Sequence, residues 1–345
     1  GISVSCGIPD FRSHDGFYSR LSERCRNLVS EPEEVFSLRN FVRRPSIFYR
    51  FVREIIRFDA EPSFSHHFLR VLDSSGRLLR NYTQNVDTLE LKAGIVNVEH
   101  CHGSFEWFSC TSCGQTAGLD EMRGFVELGI VPYCWQCMSL GGEDQQQVGI
   151  FKPNIVFFEE GLPISFNLRS QQDKNECDLL IVIGSSMTVK PICLLPSIFP
   201  LGTPRILINK EALTKNRRLT FDIELLGDCD VVLQQICFGI IQRGTTSPHD
   251  TTPYADLMRT RAPDFVPMRM IDTLYTAAEH TTTTDPQPEV SRVTRSKTQQ
   301  RIVSFMRANC CLYISPNRYI FPGADSTMTG NDLVQETVQK RRRPR

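Results

Sequence analysis

The chain has 345 residues, enough to bury a sizeable core in one large or two ordinary domains. Its 39 basic and 39 acidic side chains cancel, so no global field draws it to nucleic acid or to a membrane surface. No apolar run reads as long enough to span a bilayer and no signal peptide is recognised, so the 13 cysteines point to metal or buried thiols in a reducing compartment, not to a disulfide framework.

The first residue is Gly1, partway through a motif, and the chain is read as a fragment of a longer protein. Gly1 to Tyr18 holds small residues, then Pro9-Asp10, then Asp15-Gly16-Phe17-Tyr18. That pattern suggests a loop opening a helix where a ligand approaches the backbone closely, with an ordinary surface turn as the equal alternative. Residues 21–74 read as helical. Pro45 to Arg57 carries Ile47, Phe48, Phe51, Val52, Ile55 and Ile56 at helical spacing, and Phe64 to Leu72 follows as a second short helix. His66 and His67 lie there and receive no role.

Leu78 to Tyr82 reads as a buried strand. Just beyond it come Gln84-Asn85-Val86-Asp87 and Cys101-His102-Gly103-Ser104. This polar group falls at the carboxyl end of a strand, where open α/β sheets bind ligands. Cys110-x2-Cys113 is followed, after 20 residues, by Cys134-x2-Cys137. Two such knuckles predict a tetrahedral Zn2+ site of four thiolates, closed to water and therefore structural.

Gly141 to Gln147 reads as a polar loop, and Phe151 to Glu160 as a strand. Leu179 to Ile183, Arg205 to Ile208 and Asp230 to Leu233 read as buried strands, with helices near 190–198 and 234–242. Short continuous apolar strands alternating with helices predict an α/β fold with a doubly wound, Rossmann-like parallel sheet. From about Gly244 the composition turns to Thr, Pro, Ser and Gln. The segment 244–345 is read as a disordered tail, within which the more apolar Phe305 to Phe321 has no assigned place. Lys340 to Arg345 is a short basic run, equally a solvated tail or a nuclear import signal.

The ordered set of Gly1-Ile2-Ser3, Gly7-Ile8-Pro9-Asp10-Phe11-Arg12, Thr83-Gln84-Asn85-Val86-Asp87, Cys101-His102-Gly103, two zinc knuckles, Gly184-Ser185-Ser186 and Asn209-Lys210-Glu211 resembles the sirtuins, the NAD-dependent protein deacylases. Asn81 to Asn85 and Leu225 to Asp230 resemble the nuclear branch related to the yeast silencing deacetylase. The resemblance covers about residues 1–243. There are two departures: of the apolar strand and Gly-Ala-Gly that open the family only Gly1 remains, and Glu159 stands where the family usually has Gly.

The resemblance implies an NAD-binding domain from 1–20, 75–105 and 150–243, and a small domain from 21–74 and 106–149 that joins a helical module to the zinc module. It implies His102 as the base that activates a ribose hydroxyl, with Asn85 holding ribose and water. Gly1, Ile2, Asp10, Phe11, Arg12 and Tyr18 would belong to the cofactor loop. Gln84, Val86 and Asp87 would lie at the nicotinamide and its ribose, Gly184, Ser185 and Ser186 at the phosphates. Asn209, Lys210, Glu211 and Cys229 would lie at the adenosine end. Val156, Phe158, Glu159 and Glu160 would pair edge-on with an acetyl-lysine peptide, a histone tail or another nuclear protein. The implied products are nicotinamide, O-acetyl-ADP-ribose and free lysine. The implied location is the nucleus and also the cytoplasm, with no membrane and no nucleic-acid site. A catalytically impaired sirtuin-like binding module is the alternative. An NAD dehydrogenase is disfavoured, because no Gly-x-Gly-x-x-Gly with a downstream acid is present.

Overall fold

The computed structural model describes residues 1–11, 16–19, 21, 28–52, 55–140, 148–213, 219–244, 253–262, 264, 269–272, 310–314 and 318–325. The chain divides into two units, one of Ser3–Asp173 and one of Gly1–Ile2 with Lys174–Arg345. Arg12, the 141–147 loop and the basic run 340–345 lie outside the described residues. Among those residues no helix is long and apolar enough to cross a membrane.

In the unit Ser3–Asp173, α1 (Leu38–Arg43) starts at Ser37, whose Oγ accepts the Asn40 N–H at 3.4 Å. Helix α2 (Pro45–Val52) starts at a proline and buries Ile47, Phe48, Tyr49, Phe51 and Val52. Ile55 and Ile56 stay buried beyond its end, in turns closed on the Val52 carbonyl. The helix α3 (Phe64–Ser74) is capped by Ser63 and by His66, whose Nδ1 accepts the Ser63 N–H at 3.2 Å, so the buried His66 serves the cap. The rest of this unit is β1 (Asn81–Thr83), α4 (Leu89–Lys92), β2 (Val98–His100), β3 (Gly103–Cys110), β4 (Thr116–Gly118), α5 (Leu119–Leu128), α6 (Trp135–Leu140), β5 (Phe151–Ile155) and α7 (Ile164–Asp173).

Strands β1 and β2 run parallel, with Thr83 opposite His100. Strand β3 lies antiparallel between β4 and β5. The strand expected over 78–82 begins at Asn81, and the one expected over 151–160 ends at Ile155. An aromatic core joins the helices to this sheet: the Phe157 ring lies 5.3 Å from Phe41 and 5.1 Å from Phe48. Tyr49 is fully buried and its hydroxyl donates to the Phe151 carbonyl at 2.5 Å, which answers the polar tip that burial would otherwise leave unpaired. Burying a ring such as Phe157, 1% exposed, contributes about 3–5 kcal/mol against alanine.

The other unit is built on a six-stranded sheet. Its strands are β6 (Leu180–Ile183), β7 (Arg205–Asn209), β8 (Ile223–Leu226), β9 (Arg269–Asp272), β10 (Cys310–Ile314) and β11 (Arg318–Ile320), with α8 (Cys229–Gly244) and α9 (Pro253–Arg261) between β8 and β9. The order is β6-β7-β8-β11-β10-β9. β6, β7, β8 and β11 are mutually parallel, so the α/β class with a parallel sheet holds. β10 is antiparallel to β11 and parallel to β9.

The fold corrects two sequence expectations. Asp230 to Leu233 is the first turn of α8, not a strand. Asp228 Oδ1 accepts the Asp230 N–H at 3.1 Å, and Cys229, Val232, Leu233 and Cys237 are buried at helical spacing. The third strand is β8, just before it. Next, the described residues beyond 243 do not fit a tail left outside the fold: they include α9 and three strands, and Ile320 and Ala324 sit in the core with Val182, Leu207 and Leu226.

Candidate active site

The parallel pair β1–β2 delivers two loops at its carboxyl end. The Cys101 N–H donates to the Thr83 carbonyl at 3.0 Å, so the turn after β2 is tied to the end of β1. His102 follows, half-buried, with its Nδ1 3.2 Å from the Gln84 carbonyl. A carbonyl only accepts, so Nδ1 carries the proton and Nε2 keeps its lone pair. Burial pushes the imidazole below its ordinary value against the opposing pull of that carbonyl, which keeps the ring neutral at neutral pH. Gly103 must be glycine: its φ is +70° and an added Cβ would overlap the Asn154 carbonyl.

Asn85 lies in the β1 loop. Its N–H donates to Thr83 Oγ1 at 3.1 Å and its side-chain Nδ2 to Ser3 Oγ at 3.0 Å. Asp87 Oδ1 accepts the Leu89 N–H at 3.1 Å, and the Val86 carbonyl accepts the Phe105 N–H at 3.2 Å. The Asp10 carbonyl accepts from Phe17 at 2.6 Å and the Phe11 carbonyl from Tyr18 at 3.2 Å. Phe11 thereby joins an aromatic group, 5.6 Å from Tyr18 and 6.1 Å from Phe36.

Over 156–160, where the resemblance implies a peptide-pairing edge, most backbone N–H groups already have partners. An edge must offer unpaired backbone groups, yet Val156 N–H is bonded to the His102 carbonyl, Phe158 N–H to Phe36 and Glu160 N–H to Phe157. The Phe157 N–H donates to the Glu160 carboxylate at 2.7 Å, and that carboxylate pairs with Lys152 at 2.8 Å. Among residues 156–160 the open N–H is that of Glu159. Glu159 has φ +81°, a conformation that favours glycine, and its carboxylate accepts from Ser37 Oγ and the Arg39 N–H, both at 3.3 Å. Phe158 remains 47% exposed beside it.

In the other unit, Gly1 and Gly184 touch backbone to backbone. A Cβ on Gly1 would come 2.5 Å from the Gly184 carbonyl oxygen, so neither position admits a side chain. Gly184 N–H donates to Ile208 at 2.8 Å at the end of β6. Ser185 Oγ accepts the Met187 N–H at 3.2 Å, and Ser186 Oγ meets Thr188 Oγ1 at 3.0 Å. The buried Asn209 ends β7 and bonds the Glu211 carbonyl at 2.9 Å, while the Lys210 carbonyl accepts the Asp325 N–H at 2.8 Å. Cys229 is buried, and burial pushes its thiol up to about 11. It is a neutral core thiol, so any role toward a ligand falls to its backbone.

The sulfurs of Cys110, Cys113, Cys134 and Cys137 lie within 4.8 Å of one another. Cys110 and Cys137 are 3.6 Å apart, Cys113 and Cys134 3.7 Å. A tetrahedral zinc with Zn–S bonds of about 2.3 Å sets its sulfurs roughly 3.8 Å apart. The Ser112 and Cys113 N–H groups both point at Cys110 Sγ at 3.4 Å, as a thiolate requires. The donor set fits zinc, and four thiolates close its shell.

Sequence reasoning missed Ser3, Thr83 and Glu90. Thr83 lies in a run already singled out, but a hydroxyl there carries no signal of its own. Glu90 sits in Leu89-Glu90-Leu91-Lys92, a run in which nothing marks the carboxylate as buried.

The Sir2 family profile matches residues 1–191. The chain is 46% identical over 237 residues to the NAD-dependent protein deacetylase sirtuin-1 of Homo sapiens, covering 69% of this chain and 30% of that protein. It is 46% identical over 251 residues to the NAD-dependent histone deacetylase sirtuin-1 of Drosophila melanogaster, covering 69% of this chain and 30% of that one. A solved structure described as "Structural Basis for the Mechanism and Regulation of Sir2 Enzymes" superposes with TM-score 0.59 at 31% identity, over 70% of this chain and 90% of the other. The match thus spans about a third of these curated relatives. With more than half its length inside the family profile, this chain belongs to the Sir2 family.

Proposed function

We propose that the chain removes acetyl groups from protein lysines at the expense of NAD, giving nicotinamide, O-acetyl-ADP-ribose and free lysine. The observation that carries this is His102, held by the Gln84 carbonyl with Nε2 free and a lowered proton affinity, in a loop tied to the one bearing Asn85. NAD supplies the ribose carbon that parts from nicotinamide and accepts the acyl oxygen. His102 Nε2 takes the proton from a ribose hydroxyl. Asn85, a neutral amide anchored on Ser3 and Thr83, holds ribose and water without competing for that proton. Asp87 and Gln84 face the nicotinamide end, with Val86 fixing the loop through Phe105.

Phe11, with Asp10 and Tyr18, shields the cofactor from water. The side-chain-free approach at Gly1, Ile2 and Gly184 admits phosphates, to which Ser185 and Ser186 donate. Asn209, Lys210, Glu211 and the Cys229 backbone hold the adenosine. The acetyl-lysine peptide pairs with the Glu159 N–H beside Phe158 and Val156, while Glu160 stays paired with Lys152. The zinc is structural. The substrates are histone tails or other nuclear proteins, and the location is the nucleus. A full-length fluorescent fusion confined to the cytosol would refute that placement.

The rival, an impaired binding module, draws on the missing opening strand and on Glu159 standing where the family usually has Gly. The Glu159 carboxylate accepts from Ser37 Oγ and the Arg39 N–H, and its own N–H stays open. Mass spectrometry of acetyl-, succinyl- and long-acyl-lysine peptides incubated with protein and NAD tests the reading. Nicotinamide release with loss of the acetyl group supports it, and peptide binding without nicotinamide release favours the rival.

A further inference from the structure

Helix α4 is a single turn fixed from both ends, by Asp87 on the Leu89 N–H and by the Glu90 carbonyl accepting from Ile95 at 3.0 Å. On it, the Glu90 side chain is 0% exposed. One oxygen, Oε1, accepts the Thr83 hydroxyl at 2.5 Å. The other, Oε2, is buried with no hydrogen-bond partner among the described residues. Burial first, and then the Asp87 charge, pushes this carboxyl up to about 7. A leucine would occupy such a place without leaving a polar atom unanswered, so the carboxyl is a poor choice for stability alone.

The hydrogen bonds around Thr83 give it a different use. Its hydroxyl has one proton and turns freely unless an acceptor holds it. With that proton given to Glu90, the oxygen turns a lone pair to the Asn85 N–H at 3.1 Å. The Thr83 carbonyl accepts from Cys101, and the next carbonyl, that of Gln84, holds His102 Nδ1 at 3.2 Å. We propose that Glu90 is a positioning residue for NAD-dependent deacetylation: through the Thr83 hydroxyl it sets the turn that presents both Asn85 and His102. The claim rests on that reading of the site, but not all of its support does, because the His102 tautomer can be measured without turnover.

Four variants separate positioning from plain structure: Glu90→Leu, Glu90→Gln, Thr83→Val and the double Thr83→Val/Glu90→Leu. For each, kcat and KM toward an acetyl-lysine peptide and NAD, zinc content, melting temperature and the imidazole nitrogen shifts of His102 by NMR are measured. A misplaced group costs up to about 100-fold in rate, so Glu90→Leu and Thr83→Val each lose about 10- to 100-fold in kcat with peptide KM within about threefold. Zinc stays bound, and melting falls by no more than about 3 °C, since a half-answered carboxyl is removed. Glu90→Gln keeps the Oε1 acceptor and restores kcat to within about threefold of the parent. The double variant is no slower than Thr83→Val alone, because both changes cut one link. In the parent His102 shows a single tautomer protonated on Nδ1, and in Glu90→Leu a mixture.

Parental kcat in Glu90→Leu overturns the proposal. So does a loss that follows melting temperature with Gln no better than Leu, or an additive double. If the parent releases no nicotinamide, the proposed function fails. The tautomer comparison then decides the positioning claim, and an unchanged His102 spectrum in Glu90→Leu overturns it.

Discussion

Replacing Ile320 by alanine tests whether a strand so late in the chain belongs to the sheet core. Ile320 is 3% exposed, pairs with Leu226 on β8 and Leu312 on β10, and packs with Val182, Met187 and Leu207. Removing a buried isoleucine to its Cβ costs about 2–5 kcal/mol, the larger values where the surroundings cannot collapse. Ile320 is held from both sides by ladder hydrogen bonds, and the next N–H, of Phe321, is fixed to the Leu226 carbonyl at 2.6 Å, so collapse is hindered and about 3 kcal/mol is the expected loss. For a unit of this size each kcal/mol is worth about 2–4 °C, giving a fall of roughly 6–12 °C in the transition of the unit Lys174–Arg345. Differential scanning calorimetry reads it directly. Leu201→Ala, at a position 96% exposed, is the control and shifts melting by no more than about 2 °C. If Ile320→Ala melts with the control, β11 is not part of the core and its place between β8 and β10 is wrong.

His102→Ala should lower deacetylation about 10²–10⁴-fold and nicotinamide exchange less, since the proton transfer follows nicotinamide loss; equal rates in variant and parent would remove His102 as the base. Its folded proton affinity is depressed below the ordinary 6.5, so both its base form and the stability gained by keeping it neutral are complete above that pH and are lost as pH falls through the lower folded value. A pH–rate profile with its acid limb above about 6.5 would contradict this. Metal analysis should find about one zinc per chain, and Cys134→Ala should lose zinc together with the melting transition of Ser3–Asp173, because ligation free energy is folding free energy there. Zinc-free protein that melts like the parent would refute the site. At Glu159, alanine keeps the φ of +81° and loses the carboxylate cap, while glycine loses the cap but releases strain of about 1 kcal/mol. Glu159→Ala should therefore melt below Glu159→Gly, and the reverse order would mean the φ is not strained.

What could be read ahead of the fold was chemistry written locally. The four zinc cysteines announce themselves because both pairs share a spacing that a knuckle turn requires, and the structure places their sulfurs at tetrahedral separations. Strands β6 and β7 were legible as apolar runs with polar ends. The error at Asp230–Leu233 came from the same rule, since a four-residue apolar run does not reveal its period. Only the Asp228 cap and the burial of Cys229, Val232, Leu233 and Cys237 decide for a helix.

The late hairpin failed for a different reason. Its fold depends on a partner far away: Arg318 reaches Glu224 at 2.6 Å across 94 residues, and Asp325 closes on the Lys210 carbonyl. No local pattern encodes such pairing, and a segment rich in Thr and Pro before it argued for disorder on composition alone. Glu90 marks the same limit at the site. In sequence it is one charge on one turn of helix, and its meaning lies in an unanswered oxygen and a hydroxyl held at 2.5 Å, both of which exist only once β1 and α4 have closed around them. Groups that meet a ligand are written in recognisable runs because the chemistry fixes their type. Groups that hold them in place are fixed only by geometry, so they surface when burial and hydrogen bonding are accounted for atom by atom.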